Sequence, residues 1–469
     1  MSPAPDRPAA RMSPAPDRPA ARMSPALDRA SARMSRARAD RLAAAGAAAL
    51  FVVAAVAGTL LGLAGHPVHA GAAPLFAHWL PHVGPGTPLA VAVAVLVCRY
   101  GPWLAARLRW RPLLAVSYLT ALAWTLSLAL VDGWQRGVAG RLTTRPEYLT
   151  EVPGVTSVPA MLRGFTGRIL DHQPDSWTTH VAGHPPGALL VFVGLDRLGL
   201  AGGAWAGLLC VAVGALTAVA VPATMRLTAS ERAGRAAAPF VALFPGAIWV
   251  GVSADGLFAG VTATGIALLA YGMARRSVPA AVTGGLLLGA SGYLSYGLVL
   301  IFVIVAAVVL AVPGGRRLAW WAAAGAAVVV AAFTAAGFDW LTGYHLVTRR
   351  YYQGLAAQRP YAYWVWADLA AVAVAAGPMG AVVLRRATRA LRRRTVLGGA
   401  WLLPLAAATA ILAADVSGYS KAEVERIWLP FAVWLMAGAA LVPGRPRRHW
   451  LIAQATVALI VNHVLFTVW

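Results

Sequence analysis

Long apolar runs fill most of this chain, and one extended polar stretch, residues 132–202, divides them. A membrane-spanning helix needs about 20 mostly apolar residues, and these runs are continuous and do not alternate as barrel strands do. Charged residues make up only 12% of the sequence, whereas a soluble domain has about 25%. The sequence therefore predicts an all-α polytopic membrane protein with about 13 transmembrane helices.

The spans are assigned from the apolar runs. They are 42–64, 88–108, 112–131, 203–224, 236–251, 254–274, 278–293, 296–312, 318–339, 363–384, 396–414, 427–443 and 450–467. The run 185–200 is not counted, because it contains Asp196 and Arg197 and charges are costly inside a bilayer. It is predicted to be a re-entrant or interfacial helix, so the long outer loop contains interfacial helices.

Residues 1–41 repeat a short unit rich in Pro, Ala and Arg: MSPAPDRPAAR twice, then MSPALDRASAR and MSRARADR. The repeat has no aromatic residue with which to bury a core, so this tail is predicted to be disordered. The predicted organisation is a cytoplasmic tail at 1–41, two N-terminal transmembrane helices at 42–111, and a main transmembrane domain at 112–467. The main domain includes the outer loop 132–202.

Arginines gather at the ends of some apolar runs or between them, at 99–111, 226–235, 275–276, 316–317, 385–394 and 445–448. The positive-inside rule places such clusters in the cytoplasm. The acids of residues 42–469, Glu231 excepted, then fall at or near the other face. This predicts a multi-pass plasma-membrane protein with a cytoplasmic N-terminus and an extracytoplasmic C-terminus. Despite the net charge of +23, no nucleic-acid partner is predicted, because the arginines form short clusters and no base-reading face.

The outer side carries five polar segments, at 65–87, 132–202, 253–255, 340–362 and 415–426. Arginine binds phosphate bidentately, and a carboxylate can accept the proton of an attacking hydroxyl. Acids and arginines at the membrane surface, beside apolar grooves, are the groups that a phosphate-bearing lipid substrate requires. The candidate substrate-binding residues are Asp255, Arg349, Arg350, Tyr351, Lys421, Glu425 and Arg426.

Each of these residues also has an ordinary structural interpretation. Asp255 follows a break between helices and can cap the next one, and the segment Arg349–Tyr351 has the composition of an interfacial anchor. The segment Lys421–Arg426 can be a solvated charged loop. No resident cofactor is predicted. A divalent metal is kept as an alternative, because His78 and His82 are four residues apart and one helical face could present both to a metal ion.

The motif GHPPGALLVF at 183–192, which ends the long loop opened by Asp132, resembles the membrane glycosyltransferases of the GT-C superfamily. Their protein mannosyltransferase and aminoarabinose transferase branches have a similar His-Pro-Pro element at that place. The motifs P-x7-SAD at 245–255 and ERIWLPF at 425–431 are similar to uncharacterised actinobacterial members. The resemblance covers about residues 112–440, with the motifs in the expected order.

The resemblance implies a GT-C-like fold and a hexosyltransferase or mannosyltransferase type of activity in the cell envelope. The enzyme would move a sugar from a polyprenyl-phosphate donor, within the membrane lipid, to a hydroxyl of a glycan, lipid or protein acceptor on the outer face. The alternative is a transporter or flippase for a lipid-linked sugar or envelope precursor. Such a protein would use the same charged residues to line a passage and would need no base.

The resemblance also implies roles for particular residues. Asp132, the acid at the end of the helix before the long loop, corresponds to the catalytic base of the family. Gly133 stands where the mannosyltransferase branch has a second acid, so Glu147 and Glu151 are kept as substitutes. His184 of the His-Pro-Pro element is the other candidate catalytic residue, placed to contact the substrate or orient the base.

Overall fold

The computed structural model of the chain describes residues 25–393 and 398–467, and the chain divides into two compact units at Leu42 and Ala43. The α-helices of ten or more residues are Pro25–Leu63, Thr87–Arg107, Trp110–Ala129, Pro186–Arg197, Gly203–Gly214, Thr217–Thr228, Glu231–Ala242, Ala254–Arg275, Val278–Leu294, Ile301–Ala311, Arg317–Ala335, Trp340–Tyr351, Tyr361–Arg392, Gly399–Ser417 and Gly444–Val464. Shorter α-helices are Val158–Gly164, Thr179–Gly183, Ala247–Val250, Val424–Ile427 and Leu429–Ala432.

Tighter and wider helical turns connect these elements. The 3-10 segments are Leu130–Asp132, Arg141–Thr143, Tyr148–Thr150, Val152–Gly154, Thr166–Arg168, Tyr296–Leu300, Pro313–Gly315, Leu355–Ala357 and Val433–Leu441, and Gln135–Ala139 is a π-helical turn. Two strands of the described residues, Ala77–Trp79 and Leu465–Thr467, form an antiparallel ribbon in which Ala77 lies opposite Thr467. The protein is therefore all-α apart from this ribbon.

Eight helices of the described residues are long and apolar enough to cross a membrane. They are Met34–Leu63, Thr87–Arg107, Trp110–Asp132, Gly203–Thr228, Ala254–Arg275, Arg317–Ala335, Tyr361–Arg392 and Gly399–Ser417. Three shorter apolar helices are Val278–Leu294, Tyr296–Ala311 and Leu429–Leu441. These helices confirm the predicted all-α polytopic membrane protein, while the count of about 13 spans stays a prediction.

Two of the predicted spans have a different local structure. The run 236–251 is not one helix: Glu231–Ala242 ends before Pro245, and a single turn, Ala247–Val250, follows. Proline and glycine at Pro245 and Gly246 interrupt the helix because proline lacks the amide hydrogen that the ladder requires. The run 450–467 ends as strand Leu465–Thr467 and not as helix, because those residues pair with the loop 65–86.

Part of the N-terminal tail also differs from the expected disorder. Residues 25–41 form the start of helix Pro25–Leu63, whereas residues 1–24 lie outside the described residues. The third repeat unit has Leu27 and Ala30 where the second has Pro16 and Pro19. Without those internal prolines an Ala/Arg-rich unit can continue a helix, and Pro25 is tolerated at its first turn.

The polar stretch 132–202 folds back on itself and remains at one end of the bundle. Its helix Pro186–Arg197 has 12 residues, too short to cross a bilayer. Arg197 at its end donates to the carbonyls of Val155 and Thr156 within the same stretch, at 3.3 and 3.4 Å. The helix is thus too short to be a span, as predicted, while its interfacial or re-entrant position stays a prediction.

The arginine-rich connections lie at one end of the helix bundle, and the long polar segments lie at the other end. At the end called here the basic end, Arg235 donates to the carbonyls of Ala105 and Leu108 at 2.7 and 2.8 Å, and Arg386 donates to the Leu441 carbonyl at 2.8 Å. The other end, called the loop end, holds the segments 65–86, 132–202, 340–360 and 418–426. The candidate site is at the loop end.

Candidate active site

A buried arginine, Arg426, lies among the acids of the loop end. Its Nη1 atom donates to Oδ2 of Asp255 at 2.5 Å, and its Nη2 atom donates to Oε2 of Glu423 at 3.1 Å. The side chains of Arg426 and Asp255 are 7% and 5% exposed. Burial by itself lowers the pKa of the Arg426 guanidinium, but Asp255 and Glu423 raise it above its ordinary value. Arg426 therefore stays charged inside the protein.

The turn that carries Glu423 has an unusual backbone. Ala422 and Glu423 have φ angles of 67° and 65°, a conformation that is costly for residues other than glycine. Polar contacts hold the turn: Ala422 N donates to Oδ1 of Asp368 at 3.1 Å, and Arg359 donates to Oε1 of Glu423 at 3.1 Å and to the Lys421 carbonyl at 2.7 Å. Such strained backbone is concentrated at functional sites.

A second buried pair, Glu147 and His180, comes from the polar stretch 132–202. Oε1 of Glu147 lies 2.9 Å from Nδ1 of His180, and His180 N donates to the Pro146 carbonyl at 2.9 Å. Burial raises the pKa of the Glu147 carboxyl, but His180 and Arg426 lower it to below its ordinary value, so Glu147 is ionised. Its other oxygen, Oε2, is buried and receives no hydrogen bond from the described residues.

His184 lies close to both of these groups. Its Nδ1 atom is 2.7 Å from the His180 carbonyl, and its ring centroid is 5.8 Å from that of Tyr148 and 5.6 Å from that of Phe258. Burial lowers the pKa of His184 to about 4, against the opposite effect of Asp255. The imidazole is therefore neutral near pH 7 and can accept or donate a hydrogen bond without carrying charge.

Glu425 precedes Arg426 and is 1% exposed. Its Oε1 atom accepts a hydrogen bond from Phe76 N at 2.8 Å, while Oε2 receives none from the described residues. Burial raises the pKa of the Glu425 carboxyl to about 7. The name central cluster is used below for the residues Glu147, His180, His184, Asp255, Glu423, Glu425 and Arg426.

Asp132 lies in a different group of side chains at the end of its helix. Its Oδ1 atom is 2.9 Å from Nε2 of His82 and 3.5 Å from Arg136, and its Oδ2 atom is 3.0 Å from Nη2 of Arg141. Arg141 also donates to the carbonyl and hydroxyl of Thr467 on the second strand of the ribbon. Both carboxylate oxygens are thus engaged, and an incoming hydroxyl would have to displace one of these donors.

The residues predicted to bind a phosphate near position 350 lie on helix Trp340–Tyr351. Arg350 pairs with Asp171 at 2.7 Å, and the Tyr351 hydroxyl accepts a hydrogen bond from Lys421 N at 2.7 Å. Arg349 is exposed and has no ion pair among the described residues. It lines a cleft of about 460 Å³ with Thr348, Tyr352, Gln353 and Tyr419.

No protein-family model matches this chain, and no curated protein sequence matches it. Among solved structures, the crystal structure of the Archaeoglobus fulgidus oligosaccharyltransferase, in complex with Zn and sulfate, aligns with a TM-score of 0.45 and 14% identity. The alignment covers 75% of this chain and 52% of that chain. This chain therefore spans about half the length of that enzyme.

The structure gathers several predicted site residues that are distant in sequence. His184, Asp255, Glu425 and Arg426 lie in the central cluster, together with the substitute base Glu147. They come from the polar stretch, from the start of helix Ala254–Arg275, and from the turn before residue 429. The spacing of the motifs did not by itself predict that they meet.

Other predicted residues have contacts that brace the loop end. Glu151 accepts a hydrogen bond from Thr178 N at 2.9 Å and pairs with Arg168 at 3.4 Å. Lys421 donates from Nζ to the Arg359 carbonyl at 3.0 Å. Among residues 25–393 and 398–467, no three His, Cys, Asp or Glu side chains are grouped to hold a metal ion.

Sequence reasoning missed two residues of the site and its supporting turn, His180 and Arg359, while Glu423 was considered only as part of the charged segment Lys421–Arg426. His180 precedes His184 by four residues, a spacing that brings side chains to one helical face, and this was the available signal. Arg359 has no comparable signal, because its partners Lys421 and Glu423 are far away in the chain.

Proposed function

We propose that the protein is a glycosyltransferase that moves a sugar from a polyprenyl-phosphate donor to a hydroxyl acceptor at the loop end, on the outer face of the plasma membrane. The observation that carries this proposal is the buried Glu147–His180 pair beside Asp255 and Arg426, with one ionised carboxylate oxygen that receives no hydrogen bond from the described residues. The resemblance of the motif at 183–192 to the GT-C superfamily supports the same chemistry.

In the proposed reaction the acceptor hydroxyl attacks the anomeric carbon of the sugar. The bond between that carbon and the phosphate oxygen breaks, and the polyprenyl phosphate leaves with the electron pair. The hydroxyl proton passes to Oε2 of Glu147, whose Oε1 is held by His180. A single displacement of this kind inverts the anomeric configuration.

The structure favours Glu147 over Asp132 as the base. Asp132 is the residue implied by the family resemblance, but His82, Arg136 and Arg141 occupy both of its oxygens. Glu147 is held through one oxygen only, so its second oxygen can take a proton without the loss of an existing contact. A general base must lie within hydrogen-bond reach of the proton that it removes.

The phosphate is assigned to Arg349 and the cleft that it lines. Arg426 is already neutralised by two carboxylates, whereas Arg349 is exposed and has no acidic partner among the described residues. The cleft adjoins the supporting turn of the central cluster, since Nζ of Lys421 lies 5.2 Å from the Tyr352 ring. A guanidinium of this kind can neutralise the charge of a leaving phosphate.

The test is a transfer assay with the purified protein in liposomes, using radiolabelled polyprenyl-phosphate sugars and a panel of hydroxyl acceptors. Glu147→Gln is expected to lower the transfer rate about 100-fold or more, because a positioned base contributes about that much. Asp132→Asn is the matched variant, and a tenfold or smaller loss is expected there, about the scale of a positional disturbance.

Two outcomes contradict the proposal. Transfer that survives Glu147→Gln but not Asp132→Asn would make Asp132 the base. Movement of the labelled lipid between leaflets without any sugar transfer would favour the flippase.

A further inference from the structure

A groove at the basic end lies between the helices Thr87–Arg107, Trp110–Ala129 and Glu231–Ala242. Its volume is about 350 Å³, within the usual range for a site that binds a small molecule or a chain segment. The third helix has 12 residues, about half the length of the other two. Gly101 and Pro239 pack against each other at the groove, because a Cβ at Gly101 would lie 3.7 Å from the Pro239 Cβ.

Most of the side chains that line the groove are hydrocarbon, and two of the lining residues are aromatic. Tyr100 and Trp103 line the groove and are 47% and 53% exposed. An arginine lies against each ring: the Arg99 guanidinium is 5.1 Å from the Tyr100 centroid, and the Arg107 guanidinium is 5.3 Å from the Trp103 centroid. Neither arginine lines the groove itself, and each lies beside one of the two aromatic residues that do.

Other arginines near this groove donate hydrogen bonds to backbone carbonyls or form ion pairs. Pro102 cannot donate to the carbonyl of Cys98, four residues before it, and Arg448 donates to that carbonyl instead at 3.1 Å. Arg235 caps the end of the same helix and pairs with Glu231 at 2.7 Å. These residues are therefore engaged within the protein.

Arg99 and Arg107 are different, because both are exposed and neither has an ion pair among the described residues. Glu231, an acid of this end, is already shared between Arg226 and Arg235. The mouth of the groove therefore has positive charge that the described side chains do not neutralise. An anion with an apolar chain complements both the charge and the groove.

We propose that this groove binds an anionic phospholipid of the bilayer, with one acyl chain between the three helices and the phosphate at Arg99 and Arg107. The chain would cover the apolar walls, and the guanidinium groups would donate to the phosphate oxygens. This site lies at the opposite end from the central cluster, so it does not depend on the proposed function.

The experiment measures lipid retention by native mass spectrometry of the detergent-purified protein, with dioleoyl phosphatidylglycerol and dioleoyl phosphatidylcholine added at equal concentration. The two lipids share their chains and differ in net charge. The variants are Arg99→Ala/Arg107→Ala, which removes the cations, and Thr120→Phe, which fills the groove, since Thr120 lines it. Arg275→Ala/Arg276→Ala removes two exposed arginines that do not line the groove and is the control.

The wild type and the control pair are expected to retain phosphatidylglycerol about tenfold over phosphatidylcholine, and both groove variants are expected to lose that preference. Glycerophosphoglycerol, which has the headgroup without chains, should not compete. The proposal is overturned by equal retention of the two lipids, by a preference that persists in either groove variant, by competition from the free headgroup, or by displacement with a polyprenyl phosphate at lower concentration.

A melting curve for each variant verifies folding. A thermal shift with phosphatidylglycerol that only the wild type and the control variant show supports the site independently.

Discussion

Three buried carboxyl groups of the central cluster, those of Glu147, Asp255 and Glu425, have different partners. Asp255 is paired with Arg426, and Glu147 is paired with His180. The hydrogen bond to Oε1 of Glu425 comes from a backbone amide, that of Phe76. Because a backbone amide compensates less of the cost of burying a charge than a cation does, the pKa of Glu425 is raised to about 7.

This pKa predicts a pH-dependent effect on stability. In the unfolded chain Glu425 has its ordinary pKa of 4.5, whereas in the fold it is raised to about 7. The folded state therefore binds the proton more tightly, and stability is lost as the pH rises through this interval. Glu425→Gln carries no charge, so its melting temperature relative to the wild type should increase between about pH 5 and pH 8.

The measurement is scanning fluorimetry in detergent at several pH values. Asp175→Asn, at a side chain that is 68% exposed, is the control and should show no such trend. A difference between Glu425→Gln and the wild type that stays constant with pH would contradict the prediction.

At the same scale, the sequence identified residue types better than it identified partners. His184, Asp255 and Arg426 could be found because prolines, a helix break or a span boundary lies beside each of them. Which of them meet could not be found, because the ion pair between Asp255 and Arg426 joins segments far apart in the chain. His180 was missed for a similar reason, since its role depends on Glu147 from another turn.

Helix packing in the bundle depends on small residues where two helices cross. Gly285 and Gly289 of helix Val278–Leu294 face Ala322 and Ala326 of helix Arg317–Ala335, and a side chain added at either glycine would meet backbone atoms of the neighbour. Small residues at such crossings let the backbones approach closely. Close packing of this kind holds helix Arg317–Ala335, which has few buried side chains of its own.

Gly285→Leu is therefore expected to separate these two helices and to destabilise the protein by about 1–3 kcal/mol or more. Gly292→Leu in the same helix is the matched control, because nothing lies within 4 Å of a Cβ at that position. Urea or thermal unfolding in detergent provides the comparison. Equal stability of the two variants would show that this crossing tolerates a larger separation.

At the scale of the whole molecule, the arginine clusters and the acidic loop segments occupy opposite ends of the helices. At one end, Arg235 donates a hydrogen bond to the Ala105 carbonyl and Arg386 donates one to the Leu441 carbonyl. The ribbon between Ala77–Trp79 and Leu465–Thr467 lies at the other end. This arrangement follows the charge asymmetry that the positive-inside rule uses.

The asymmetry predicts which residues an impermeant thiol reagent reaches in intact cells. In a background without Cys98 and Cys210, Asp175→Cys should be labelled from outside, whereas Arg275→Cys should be labelled only after permeabilisation, because arginine-rich connections remain in the cytoplasm. Both native side chains are exposed. The reverse pattern would invert the topology and would remove the outer-face enzyme with it.

The class of the fold was predictable because about 20 apolar residues record each membrane crossing in the sequence itself. The break at Pro245 and Gly246 is also marked in the sequence by a proline and a glycine, although the run 236–251 was assigned as one span. The ribbon was not predictable, because strand Leu465–Thr467 is an apolar run whose extended form depends on its partner Ala77–Trp79. The local sequence pattern indicates which residues are buried. Whether the end of an apolar run is helix or strand depends on pairing with a segment that is distant in the sequence.

The salt bridge between Asp255 and Arg426 also has a consequence for biosynthesis. The ribosome delivers the acid to the membrane well before it delivers the cation, since chains are made from the N-terminus. Until Arg426 has been synthesised, Asp255 lacks this partner, and an unpaired charge within the bundle is costly. The ion pair between Asp255 and Arg426 can therefore form only when translation is nearly complete.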